Sequence, residues 1–196
     1  VGSNDGTGSI LRSEDGVSWT GTTGYMFDIS DLGAGVAYGP SGTWVAVGSN
    51  VGGTGTILRS TDDGRTWTGT TGSTLTVGAG VAVGPLGTWV AVGANNLSGD
   101  SILRSTDDGL SWVGTTGVST AGVARVAAGP SGTWVAVGVN PGGGDSILQS
   151  FDDGIQWTGT TGSGFSTNGY DVAYGPSGTW VAVGQGDEGS ILYANS

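Results

Sequence analysis

The sequence contains no cysteine, no histidine and no lysine. Missing thiols exclude a disulfide framework and thiolate metal or redox chemistry. Missing imidazoles remove the commonest general base and transition-metal ligand. The 5 basic residues are all arginine and stand against 16 acidic ones, a net charge of −11. Nucleic acid and membranes are therefore not expected as partners, because DNA and anionic lipid are both held by clustered Lys and Arg. No apolar run is long enough for a spanning helix, and Val1-Gly2-Ser3-Asn4 has neither the basic nor the apolar part of a leader. A start at Val1 without Met marks a processed chain or a piece of one. What is present is 43 Gly, 8 Trp and 36% hydrophobic residues, too apolar for a disordered acidic tail. A Cys-free, Lys-free, acidic chain rich in Ser, Thr and Gly fits an extracellular or particle-surface protein (cell, filament or virus).

The 196 residues suffice for one domain, and self-comparison divides it. Gly42-Thr43-Trp44-Val45-Ala46-Val47-Gly48 returns at 87–93, 132–138 and 178–184, so that Trp44, Trp89, Trp134 and Trp180 stand 45, 45 and 46 residues apart. A period of this length belongs to propeller blades or helical-pair solenoids. Period-two apolar positions interrupted by turn residues favour strands over helices. One copy reads as four strands: Val36-Ala37-Tyr38, Thr43 to Val47, Thr56 to Ser60 and Arg65 to Gly69. A four-stranded meander per repeat predicts a β-propeller, with Trp44 and its copies packed between blades. The units expected are a partial blade at 1–24, full blades at 35–72, 80–117 and 125–162, and a partial blade at 171–196.

Between third and fourth strands the chain spells Ser60-Thr61-Asp62-Asp63-Gly64-Arg65-Thr66-Trp67, and again Ser105 to Trp112 and Ser150 to Trp157. In each, a short Asp side chain (Asp62, Asp107, Asp152) can accept backbone N–H groups of a tight turn. Gly64, Gly109 and Gly154 supply the positive φ, and Trp67, Trp112 and Trp157 anchor the hairpin. This Ser-x-Asp-x-Gly-x-x-Trp pattern resembles the Asp-box, or BNR repeat, of sialidase-like and photosystem-assembly-factor-like β-propellers. The resemblance spans almost the whole chain and implies an all-β propeller of about four four-stranded blades, with the box in a structural role. The first copy, Ser13-Glu14-Asp15-Gly16-Val17-Ser18-Trp19, is one residue shorter; the last third strand, Ser190 onward, stops before any box. The count is seventeen strands, one more than a closed four-bladed ring holds. The surplus leaves three arrangements: a ring with an extra edge strand, part of a larger propeller, or open ends that pair with another copy.

The connections from one blade to the next vary most between copies and carry the candidate ligand-binding residues Tyr25, Phe27, Phe165 and Tyr170 as stacking walls. Arg125 and Asp171 enter adjacent first strands and are expected to face each other, as a rim salt bridge or a polar clamp. Asp5, Asp100, Asp145, Asp187 and Glu188 punctuate the other loops, one or two carboxylates each, too few for a calcium site. Asn96-Leu97-Ser98 is the one glycosylation triplet.

No metal and no cofactor is expected. The resemblance admits a sialidase-like glycoside hydrolase, but Arg12, Arg59 and Arg104 occupy one repeated position, which spreads them out, and no carboxylate pair stands ready for catalysis. A carbohydrate-binding propeller is the alternative that the aromatic loops suggest, with a glycan as ligand. The preferred expectation is a non-enzymatic structural or assembly module that binds a protein partner or itself through open sheet edges.

Overall fold

Short runs of alternating apolar and small residues, broken by Gly, Pro, Asn and Asp, offer no helical stripe to bury, and the chain forms strands. The computed structural model describes residues 9–27, 33–49, 55–95, 100–117, 122–139, 145–162, 164–186 and 190–195. Among them the only helical element is a single 3-10 turn, Pro130–Gly132. Asp5, Asp187, Glu188 and the 96–98 triplet lie outside the described residues.

Five sheets follow one another along the chain. The first pairs Leu11–Arg12 with Thr20–Gly21. The second runs Gly33–Tyr38, Trp44–Gly48, Ile57–Ser60, Thr66–Gly69, each antiparallel to the one before. The third repeats this with Val77–Val83, Trp89–Ala94, Ile102–Ser105 and Ser111–Gly114. The fourth does so with Gly122–Ala128, Trp134–Val139, Ile147–Ser150 and Gln156–Gly159. The fifth holds Asn168–Tyr174, Thr179–Gln185 and Ile191–Asn195, and meets the fourth through the single pair Val139–Asn168. The first strands begin three or four residues earlier than Val36, Val81, Val126 and Val172, because each carries a bulge that moves the pairing on by one residue, as from Gly33 to Gly35 and from Gly169 to Asp171.

Three two-residue strands add to the seventeen expected. Thr23–Gly24, Thr71–Gly72 and Thr116–Gly117 leave their own sheet and lie parallel to the outermost strand of the next. Gly72, at φ +85°, is the residue this crossing requires: a Cβ there would stand 2.2 Å from the Trp112 carbonyl oxygen. Sequence units ending at 72 and 117 thus interlock with their successors.

The cores lie between sheets. Val90, Val92 and Ile102 of the third sheet cluster with Trp134, Ala136, Leu148 and Trp157 of the fourth, and Val45, Val47 and Ile57 of the second with Trp89, Ala91, Leu103 and Trp112 of the third. Burial of both sheet faces accounts for second strands that read Trp-Val-Ala-Val without charge. First strands pack in series, Gly33–Tyr38 on Val77–Val83, that on Gly122–Ala128, and that on Asn168–Tyr174. Among the described residues no ladder joins the first sheet to the last. Among the described residues Leu11–Arg12 is laddered only on Thr20–Gly21, and Ile191–Asn195 only on Thr179–Gln185.

Candidate functional site

The repeated turn is built from its serine and first aspartate. Ser60 lies opposite Trp44 in the ladder and is 2% exposed; its hydroxyl donates to Asp62 at 2.8 Å and accepts the Gly64 N–H at 3.1 Å. Asp62 also accepts the Thr66 N–H at 2.9 Å. The Thr66 hydroxyl and N–H, then Ser60, hold this carboxyl at a pKa of about 2. Asp107 and Asp152 repeat the geometry, each 2.8 Å from Ser105 or Ser150, and accept Ser111 and Gln156 N–H groups at 2.9 Å. Partial burial pushes both upward, but the hydrogen bonds outweigh it and both sit below the usual carboxylate range. The Trp67, Trp112 and Trp157 indoles each donate to the turn glycine carbonyl, at 3.1, 3.1 and 3.2 Å.

The second aspartate of the turn, which the sequence reading passed over, joins sheets. Asp63, Asp108 and Asp153 all have φ 61°, left-handed backbone that Asp tolerates better than most residues. That twist turns carbonyl and carboxylate the same way. Arg12, Arg59 and Arg104 of the preceding sheet donate Nε to the carbonyl at 2.7 Å in each case and Nη2 to the carboxylate. The arginines are therefore structural clamps, one at each of the first three junctions. The signal in the sequence was an Asp at a left-handed turn position, paired with an Arg on the third strand of the preceding repeat, 51, 49 and 49 residues earlier.

The loop candidates do not come together as a ligand site. Phe27 and Phe165 are 1% and 2% exposed, seated in inter-sheet cores. Leu75 holds the corresponding place in the second cluster, so this loop position is an apolar plug and not a stacking wall. Tyr25 and Tyr170 are exposed, the Tyr170 hydroxyl donating to Gln185 at 3.0 Å. Arg125 does not meet Asp171. It follows the bulge residue Ala124 and reaches back, its Nη1 donating to the bulge carbonyls of Ala79 and Ala124 at 2.6 and 2.8 Å. Asp171 accepts its neighbour's N–H, Val172 N at 2.9 Å. Among the described residues no three acidic side chains cluster; Asp28 and Asp31 lie outside them.

An open cleft of about 750 Å³ lies between the fourth and fifth sheets, walled by Val135, Ile147, Gln149, Phe151, Trp180 and Tyr193.

No protein-family model matches the chain, and no curated protein matches it. Solved structures do. The chain is similar to a GH74 xyloglucanase from Xanthomonas campestris, at 16% identity over 90% of this chain and 26% of that one, with a TM-score of 0.62. It is similar to YCF48 from Cyanidioschyzon merolae, at 17% identity over 84% of this chain and 53% of that one, TM-score 0.53. YCF48 bound to a D1 peptide also matches, at 18% identity over 78% and 50% of the two chains, TM-score 0.53. The chain spans between about a quarter and about half the length of these relatives. What is shared at such identity is the fold, all-β and of propeller type.

Proposed function

We propose that this protein is a non-enzymatic module of the Asp-box kind, a rigid scaffold for protein–protein contacts in an extracellular or particle-surface structure. The observation that carries the reading is where the acids are used. Asp62, Asp107 and Asp152 close turns, Asp63, Asp108 and Asp153 clamp sheets, and among the described residues every carboxyl with a displaced pKa is displaced downward. A general acid needs the opposite displacement. The peptide held by the similar YCF48 supports a protein ligand for this fold.

A carbohydrate ligand is the second reading, favoured by the exposed rings of Tyr25 and Tyr170. A glycan array and a release assay on sialosides and xyloglucan test both. The scaffold reading expects neither retention nor release. Retention lost in Tyr170→Ala would establish the lectin, and sugar release lost in Asp171→Asn would establish a hydrolase.

A further inference from the structure

Packing dictates two adjacent residues in the repeated turn. Gly109 and Gly154 have φ +77° and +80°, and a Cβ there would stand 2.7 or 3.1 Å from a methyl of Val45 or Val90 in the preceding sheet. Asp108 and Asp153, just before them, receive the arginine fork. The fold thus places Asp-Gly in these turns, with Asp63-Gly64 as a third instance. This is the dipeptide in which aspartate cyclises most readily, because glycine sets no side chain against its own attacking nitrogen.

Cyclisation begins when the glycine nitrogen attacks the aspartate Cγ. An N–Cγ bond forms, and one carboxylate oxygen leaves as water with the amide proton and one proton from solvent. The succinimide then takes up one water at either carbonyl and reopens to aspartate or to isoaspartate. The first step requires rotation about the aspartate Cα–C bond, which swings the whole Asp–Gly peptide plane. That plane is pinned along both edges. In Asp108–Gly109 the carbonyl accepts Arg59 Nε at 2.7 Å and the N–H donates to the Ser105 hydroxyl at 3.1 Å. In Asp153–Gly154 the partners are Arg104 at 2.7 Å and Ser150 at 3.1 Å, and in Asp63–Gly64 they are Arg12 at 2.7 Å and Ser60 at 3.1 Å. The attacked carboxylates are held too, Asp108 by Ser41, Thr43 and Arg59, and Asp153 by Thr88 and Arg104. Gly109, Gly154, Ser105 and Ser150 are buried, which keeps solvent base from the N–H.

We propose that these Asp-Gly bonds are latent sites of isoaspartate formation, kept silent by the turn serine and the clamp arginine acting on opposite edges of one peptide plane. The serine thereby has a chemical role beside its structural one. Reaction proceeds only through local opening of the turn. Isoaspartate lengthens the main chain by one methylene and moves the carboxylate to a new branch, so the arginine fork loses the geometry of both partners and the junction loosens. No ligand or partner takes part, so the guard operates whether or not the protein is a scaffold.

The test is prolonged warm incubation of the full chain at neutral pH, folded and in urea, with isoaspartate measured turn by turn by peptide mapping and mass spectrometry. In urea it should accumulate at Asp63, Asp108 and Asp153 alike. In the folded chain accumulation at Asp108 and Asp153 should be about 100-fold slower or more, as for a state in which two hydrogen bonds must break together. Ser150→Ala should raise the folded-state rate at Asp153 about tenfold and leave Asp108 of the same chain unchanged. Arg104→Met, read the same way, carries the contrast should Ser150→Ala not fold. Equal rates in folded and urea-treated chain overturn the guard. So does a rate at Asp153 indifferent to both variants, and so does an equal rise at Asp108 and Asp153, which would mark global unfolding as the route.

Discussion

Arg104 and Asp153, 49 residues apart in sequence, are joined twice, by Nε to the aspartate carbonyl at 2.7 Å and by Nη2 to its carboxylate at 2.8 Å. Both side chains are mostly buried, 18% and 23% exposed. A guanidinium presents its donors as a rigid fork, so the pair fixes the orientation of two sheets and not merely their distance. Arg59 and Asp108 do the same one repeat earlier.

Arg104→Met should destabilise the protein by roughly 1–3 kcal/mol, since it takes the guanidinium donors from the Asp153 carbonyl and leaves its mostly buried carboxylate with the Thr88 hydroxyl alone. Gln149→Met, at the same strand position but with no turn aspartate brought to it among the described residues, should change little. Urea midpoints for the two variants check the contrast, and equal shifts would count against the clamp.

Gly84→Ala should cost roughly 1–3 kcal/mol, the penalty of overpacking, because its methyl would stand 2.8 Å from the buried Trp134 ring. The backbone there has no positive φ, so strain is not the cause. Near-ultraviolet circular dichroism should show the tryptophan signal altered together with the lowered melting temperature.

Asp107→Ala removes the acceptor of the Ser111 N–H and the Ser105 hydroxyl. The expected loss is roughly 1–3 kcal/mol, by analogy with unpaired turn donors, and ligand binding by the folded protein is unchanged. Chemical denaturation with a binding assay in parallel checks it; preserved stability with lost binding would make the turn a site.

Acid should unfold the protein in a defined window. Asp62 titrates near 2 in the folded state, and Asp107, Asp108 and Asp152 are also lowered. Their folded values lie below the unfolded value near 3.9, so the unfolded chain binds more protons as pH falls. The stabilisation is complete above about pH 5 and is lost between about pH 4 and pH 2. Melting temperature should be level from pH 7 to 5 and drop steeply below 4; a flat profile to pH 2 would contradict the hydrogen-bonded turns.

The sequence by itself determined the elements whose causes are local. Period-two Trp-Val-Ala-Val runs, Pro-Ser-Gly turns and the Ser-x-Asp-x-Gly-x-x-Trp hairpin depend on residues within ten positions of each other, and they recur often enough to set strands, turns and sheet order. Tertiary structure alone decided how the sheets meet. Thr71-Gly72 looked like the end of one unit and pairs with the next. Phe27 and Phe165 differ from Leu75 and so resembled ligand-facing departures, yet all three fill the same apolar place. Arg125 turned back to the Ala79 carbonyl and away from Asp171, because a bulge sets the carbonyl within reach. Contacts between residues a full repeat apart depend on the rotation between sheets, a quantity set by the summed packing of Trp, Val and Gly surfaces and carried by no single stretch of sequence.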